Sequence, residues 1–274
     1  MHAFESERAP LRNKNPLFVE IPSSAKRAAQ MAGLRNDAIN KNHEKFREPC
    51  VDIRTLSIAG ENYYHKDGEN PPYNQRIPGS IPELYLRESV AEKLLKVNQR
   101  LRHLDFEVHV FDGWRPPEIQ KYFYYTWMPR FINDHLIRKG LKPLIGDALD
   151  REVNRFWAKP RADGSVDPLS PPAHTTGGAV DLTLRERRGR LLDMGSGFDD
   201  FTDRARTDFY EGNTWRRRVL QNRRLLFNAM REQGFESNPN EWWHHSIGDQ
   251  MAERLRGSER AFYSFIDPRT ASLM

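Results

Sequence analysis

Two short segments of the chain combine residue types that bind transition metals with residue types that turn the backbone. In residues 171–181, His174 and Asp181 flank the adjacent glycines Gly177 and Gly178. A catalytic zinc needs three nitrogen or oxygen ligands and one open position, and glycines let the backbone fold back so that two side chains can face one ion. Taken alone, such a pair is more often a loop histidine hydrogen-bonded to an aspartate at a strand end.

The second segment, residues 238–245, leads from a turn into Glu241, two tryptophans and two histidines. Its simplest interpretation is a pair of core tryptophans with ordinary polar neighbours. In a regular strand, residues three apart point to opposite faces, so Glu241 and His244 can share a site only through a bulge or a turn. We therefore predict a local irregularity there. His244 is the better ligand candidate, and we expect His245 to lie behind the ligands or at the surface.

A third segment places an arginine where a strand is expected to meet a helix. Its sequence is Asp112-Gly113-Trp114-Arg115-Pro116-Pro117. Both elements would fix the direction of the Arg115 side chain, which could face a site. Without the other two segments, the simpler interpretation is a surface arginine paired with a carboxylate.

Regular elements are predicted on both sides of this arginine. Ser89 and Glu92 form a capping box ahead of apolar residues at helical spacing, which are Val90, Leu94, Val97, Leu101 and Leu104. Residues 106–111 alternate as a strand does and end at Asp112-Gly113. Because proline is tolerated in a first turn, Pro116 and Pro117 predict the start of another helix.

The rest of the chain alternates between less regular and regular stretches. We expect one helix over residues 24–46, a loop over residues 133–172, a short strand around Leu182 and Leu184, and a helix over residues 214–233 that ends at Gly234. This order predicts an α+β fold with a small, mainly antiparallel sheet flanked by helices.

Composition argues for an ordinary globular protein. The chain has 274 residues, of which 38% are apolar and 11% aromatic, enough to fill a core. The net charge of +5 is a small surplus, and the densest basic runs, residues 216–218 and 223–224, fall in a predicted helix whose charged face would be solvated. We therefore expect no nucleic-acid partner.

Cysteine usage and hydropathy narrow the class further. With Cys50 as its single cysteine, the chain cannot form an internal disulfide or a cysteine-rich zinc site. No eighteen apolar residues run together, and the first thirty residues lack the apolar stretch of a signal peptide. We expect no membrane insertion and a cytoplasmic location.

The three segments, in this order, resemble the zinc D-alanyl-D-alanine dipeptidases associated with vancomycin resistance, and more broadly the zinc D,D-peptidases. The matching stretches are Asp112-Gly113-Trp114-Arg115-Pro116, residues 174–184, and Glu241-Trp242-Trp243-His244, of which the last is the most specific. The resemblance covers roughly residues 52–250. It predicts a catalytic domain of residues 50–274 behind an N-terminal extension of residues 1–49.

By this resemblance, the chain hydrolyses D-Ala-D-Ala or a similar D,D-dipeptide with one zinc ion. The implied roles are zinc ligand for His174, Asp181 and His244, catalytic base acting on the zinc-bound water for Glu241, oxyanion stabiliser for Arg115, and partner of the substrate ammonium for Asp199.

Two positions depart from the family pattern. Pro172 stands where the family has a serine, and Thr55 where it tends to have a tyrosine. These departures leave the identity of the dipeptide open, together with two alternatives: a zinc D,D-carboxypeptidase or other cell-wall peptidase, and an inactive zinc-containing protein that binds muropeptides. The sequence does not define an oligomeric state.

Overall fold

A computed structural model describes residues 15–32, 38–157, 159–161, 163–212 and 214–271. The strands are β1 (Cys50–Asp52), β2 (Ala59–Gly60), β3 (Tyr85–Arg87), β4 (Phe106–Asp112), β5 (Ala179–Glu186), β6 (Glu236–Ser237) and β7 (His244–Ser246). The main sheet has five strands in the order β2-β4-β5-β7-β6, in which β2 and β4 are parallel and the other neighbours antiparallel. A separate antiparallel pair joins β1 and β3.

Helices flank this sheet, which confirms the predicted α+β class. They are α1 (Ser24–Ala32), α2 (Glu88–Arg102), α3 (Pro117–Tyr122), α4 (Met128–Arg138), α5 (Gly146–Val153), α6 (Arg217–Glu232), α7 (Gln250–Arg256) and α8 (Pro268–Ala271). Helix α2 packs against both β4 and α6. None of the helices in the described ranges is long and apolar enough to cross a membrane.

Helix α2 has the predicted buried face but not the predicted start. Its apolar residues Val90, Leu94, Val97 and Leu101 are fully buried. The helix begins at Glu88 without a side-chain cap. The predicted capping box is wrong, because a distant carboxylate takes its place: the backbone nitrogen and the hydroxyl of Ser89 donate to Glu48 at 2.7 and 3.0 Å.

The β4–β5 pairing explains how an aspartate at the end of β4 reaches the site. Val110 lies opposite Leu182 in a regular antiparallel register, and the register then shifts so that Asp112 lies opposite Asp181. A bulge adds one residue to a strand and reverses the face of the residues that follow. Asp112 therefore points to the side of Asp181 rather than to the side of Val110.

Two of the sequence-based expectations need correction. Residues 133–172 are not all loop, because α4 continues to Arg138 and α5 follows, both reached through a π-helical turn at Phe123–Trp127. The helix expected over residues 24–46 ends at Ala32, and described residues 38–46 are not helical. Residues 33–37 lie outside the described residues.

The helix expected over residues 214–233 is largely confirmed. A 3₁₀ turn at Thr214–Arg216 precedes α6, and the chain turns at Gly234. Its charged face is less solvated than predicted: Arg223 is only 2% exposed, and Arg224 pairs with Glu211.

The first described residues of the N-terminal segment pack on α6, and α1 packs on α7. Leu17 is fully buried, and Asn228 donates to the carbonyl oxygens of Leu17 and Val19 at 3.3 and 2.9 Å. The division into residues 1–49 and 50–274 remains a prediction.

Candidate active site

The three predicted metal ligands meet at one end of the sheet. Asp181 lies in β5 directly opposite His244 in β7, and His174 lies in a 3₁₀ turn that precedes β5. That turn ends at Gly177 with φ 74°, and a Cβ on Gly178 would lie 2.4 Å from the carbonyl oxygen of Ile247. Two glycines are therefore required for the chain to turn back from His174 into β5.

The ligand atoms of these side chains are directed at a common point. Their atoms all lie within 4.8 Å of one another, and all three residues are buried. His174 Nε2 is 3.0 Å from His244 Nδ1 and 3.3 Å from Asp181 Oδ2. Asp181 Oδ1 is buried without a hydrogen bond to any described residue, although His244 Nδ1 is 3.1 Å away. Ligand atoms that lie this close together around a buried, unpaired carboxylate oxygen are suited to face one ion.

The donor set fits zinc. Tetrahedral ligands at about 2.0–2.1 Å from zinc lie about 3.3 Å from one another, close to the separations found here. His174 Nδ1 lies 2.8 Å from the carbonyl oxygen of Gly113. Because a carbonyl only accepts, Nδ1 carries the proton and Nε2 keeps its lone pair. Burial raises the pKa of Asp181, but the two imidazoles outweigh it and keep that carboxyl ionised.

Glu241 stands beside this cluster because of the predicted irregularity. A turn precedes β7, and the backbone nitrogen of His244 donates to the carbonyl oxygen of Glu241 at 3.2 Å. Glu241 Oε2 lies 3.9 Å from His244 Nδ1 and accepts from Asn238 Nδ2 at 2.8 Å. Burial and the Asp181 carboxylate raise the pKa of Glu241, against the opposite effect of His244. A carboxyl with a raised pKa beside a metal site is suited to proton transfer.

Arg115 faces the same cluster from the loop between β4 and α3. Its Nε donates to Asp112 Oδ2 at 2.8 Å, and its Nη2 donates to Asp181 Oδ2 at 3.2 Å. Burial lowers the pKa of this guanidinium, but the surrounding anionic groups outweigh it and raise the pKa well above its ordinary value. The surface position of the simpler interpretation is excluded, because Arg115 is only 8% exposed.

Asp199 lies in the loop before α6 and is held by two phenols. Its backbone has φ 52°, and its Oδ2 accepts from Tyr64 at 2.8 Å and from Tyr73 at 2.6 Å. Burial raises the pKa of Asp199 to about 7, although the Tyr73 hydroxyl and Arg115 lower it.

One cavity of about 390 Å³ is lined by all six predicted site residues, which are Arg115, His174, Asp181, Asp199, Glu241 and His244. Pro172 also lines it, whereas Thr55 is exposed in the 3₁₀ turn Ile53–Leu56 and donates to the carbonyl oxygen of Asp52. The remaining lining residues include Gln120, Arg155, Phe156, Trp157, Asp200, Phe201, Asp203, Arg206 and Trp243.

Several residues around the site were not predicted. Asp112 lies in a stretch that matches the family but has no predicted role beyond the end of a strand, and it is fully buried and binds Arg115. Tyr64 and Tyr73 carried no local signal, because they reach Asp199 from more than a hundred residues away. His245 is fully buried and bonded to Ser237 at 2.8 Å, so it is not a surface residue.

Known proteins similar to this chain identify the class of protein to which it belongs. A family model described as D-ala-D-ala dipeptidase matches residues 84–266, well over half of the chain. The chain is therefore a metallopeptidase. It belongs to the D-Ala-D-Ala dipeptidase family, and the predicted resemblance is confirmed.

Relatives in several bacteria agree with this assignment. A D-alanyl-D-alanine dipeptidase from Synechocystis is 34% identical over 61% of this chain and 70% of its own. A D-alanyl-D-alanine dipeptidase from Escherichia coli is 34% identical over 48% of this chain and 67% of its own. Another from Enterococcus faecium is 32% identical over 59% of this chain and 72% of its own. A solved vancomycin resistance D,D-pentapeptidase in complex with Zn(II) aligns with 77% of this chain and 93% of its own. Its TM-score is 0.34 at 14% identity.

Proposed function

We propose that this enzyme hydrolyses D-Ala-D-Ala or a closely similar D,D-dipeptide, with one zinc ion held by His174, Asp181 and His244. The observation that carries the proposal is the convergence of these three ligand atoms beside the Glu241 carboxylate. When bound, zinc supplies Lewis acidity that lowers the pKa of water to near neutrality.

The remaining residues have separate tasks in the reaction. Glu241 accepts the proton of the attacking water and later returns it to the departing amine. Arg115 stabilises the negative charge that develops on the scissile carbonyl oxygen, a task typically worth roughly 3 to 4 kcal/mol of barrier. Its two bonds to carboxylates keep the guanidinium in place before the substrate arrives.

Asp199 binds the free ammonium of the substrate. Its carboxylate lines the cavity and is already oriented by two hydroxyl groups. Blocking the amine leaves this charge without its partner in a partly desolvated cavity, a loss on the order of 2 to 5 kcal/mol. Unblocked dipeptides are therefore the preferred substrates. The cytoplasmic location expected from the sequence stays a prediction.

The decisive experiment is a substrate panel measured by release of amino acid. Wild type and Asp199→Asn are compared on D-Ala-D-Ala, on its N-acetyl form and on a longer peptide that ends in D-Ala-D-Ala. We expect wild type to prefer the free dipeptide by tenfold or more and Asp199→Asn to lose that preference. Equal hydrolysis of free and acetylated dipeptides would favour a D,D-carboxypeptidase. Zinc-loaded protein that turns over no member of the panel would indicate a binding protein.

A further inference from the structure

The guanidinium group of Arg115 contacts groups of two kinds. Along its edges it donates to the carboxylates of Asp112 and Asp181. Two aromatic rings also lie against it, because its Cζ is 4.8 Å from the ring centroid of Tyr64 and 5.3 Å from that of Trp157. The carboxylates fix the position of the edges, and the rings restrict the tilt of the guanidinium plane.

Trp157 differs from the other three neighbours in its origin. It follows α5, in the passage that the sequence predicted to be loop, whereas Asp112 and Asp181 belong to the sheet. Its ring is 7% exposed and stacks on Phe123, with centroids 4.3 Å apart and planes inclined by 15°. Since Phe123 is fully buried, Trp157 offers Arg115 a surface that is anchored in the core.

We propose that Trp157 is a positioning residue, which holds the guanidinium of Arg115 in the orientation that stabilises the oxyanion. The inference rests on the proposed function, because it acts through the role given to Arg115. The negative face of an indole attracts a guanidinium more strongly than other rings do, most of all away from water. Without it, Arg115 keeps its carboxylate bonds but gains freedom to tilt, and small misplacements of a catalytic group cost rate.

Trp157→Leu is expected to lower kcat about tenfold while KM changes less than twofold. Tenfold corresponds to about 1.4 kcal/mol of transition-state stabilisation. Zinc content should stay at one ion per chain. Because a buried ring is lost, Tm should fall, so the rates are measured below the unfolding transition, which separates loss of positioning from loss of the fold or of the metal. Trp157→Phe keeps an aromatic face, so its kcat should fall only two- to threefold. The phenylalanine variant also preserves the test if the leucine variant does not fold.

A double-mutant cycle with Arg115→Lys makes the test specific. The lysine ammonium has no planar face to orient, so adding either Trp157 substitution to Arg115→Lys should change kcat less than twofold. As a matched control, Phe131→Leu removes an aromatic ring that packs on Trp127 and Phe201, and it should leave kcat within twofold of wild type.

The outcomes distinguish this inference from the proposed function. Equal losses from Trp157→Leu in both backgrounds, or the same loss from Phe131→Leu, would overturn the positioning role and leave the role of Arg115 intact. Wild-type turnover by Arg115→Lys would overturn the role of Arg115, and the role of Trp157 would fall with it.

Discussion

Two buried arginines, Arg115 and Arg223, lie in regions of the molecule that pair a guanidinium with different kinds of group. Arg115 donates to carboxylates at the lining of the cavity. Arg223 donates instead to main-chain carbonyl oxygens of the loop before α6, those of Met194, Arg204 and Arg206, at 2.7, 2.9 and 2.9 Å.

The pKa values reflect this difference. Burial lowers the pKa of Arg223 to about 9, because the carbonyl groups bonded to it carry no charge and the acidic groups farther away, Asp200 and Asp193, offset desolvation only in part. Around Arg115, anionic groups outweigh burial and raise the pKa. A cation satisfied by neutral carbonyls holds a loop together. A cation surrounded by acids at the lining of a cavity is typical of a site that stabilises charge developing during a reaction.

The largest expected effect is the loss of the metal. His174→Ala, Asp181→Ala and His244→Ala should each abolish stoichiometric zinc and turnover, because three ligands are the minimum for a catalytic site. His245→Asn is the control, since this neighbour points away from the cluster toward Ser237, and it should retain one zinc per chain. Metal analysis of protein purified without chelator provides the measurement. Full zinc content in the alanine variants would contradict the ligand set.

Glu241→Gln should separate metal binding from turnover. The amide keeps the size of the side chain but cannot accept the proton of the attacking water, so kcat should fall about 10²- to 10⁴-fold. Zinc content and Tm should stay near wild type, because Glu241 is not among the ligands. Near-full activity of a zinc-loaded glutamine variant would exclude Glu241 as the base.

The same substitution at both arginines tests whether Arg115 acts in the reaction and Arg223 in the fold. Arg115→Lys should lower kcat about 10²- to 10³-fold while the protein keeps its zinc, because lysine keeps the charge but not the planar fork.

Arg223→Lys should instead lower the free energy of unfolding by about 2–4 kcal/mol, because one ammonium leaves buried carbonyls unpaired. Its kcat, measured below the unfolding transition, should stay within tenfold of wild type. Thermal melts and steady-state rates on both variants provide the check. If Arg223→Lys impaired kcat as strongly as Arg115→Lys, the division into structural and reactive arginines would be wrong.

The same two residues show what sequence can and cannot predict here. Arg115, His174 and Glu241 were candidates because each lies in a short segment whose turn residues and strand ends are local in sequence, and their roles follow from the resemblance of these segments to the zinc D,D-peptidases. Arg223 was placed on a solvated face, because its carbonyl partners are 17–29 residues away and leave no trace in helical periodicity.

Long-range partners explain the other failures as well. The capping box at Ser89 was plausible by spacing, but Glu48 binds there from 41 residues away. Trp157 lies in a passage whose prolines and glycines predicted a loop. Its proposed role depends on contacts with Arg115 and Phe123, which are distant in sequence and meet it only in the folded chain. Elements with local causes were predicted, whereas the contacts that Arg223, Ser89 and Trp157 make with distant residues were not.

The smallest expected effect concerns the pH dependence of substrate binding through Asp199. Its pKa of about 7 means that the carboxylate is ionised above that pH and protonated below it. Only the ionised form attracts the substrate ammonium, so kcat/KM for D-Ala-D-Ala should fall as the pH drops through this range, approaching tenfold per unit at the acidic end. A cation at the metal site can only lower this pKa, which sets the expected midpoint at or below about pH 7. Other groups titrate too, so the measured quantity is the ratio of kcat/KM between wild type and Asp199→Asn from pH 5 to 8. Groups common to both proteins cancel, and the ratio should rise with pH and then level off. A ratio that stays constant over the whole range would show that Asp199 does not bind the ammonium as a carboxylate.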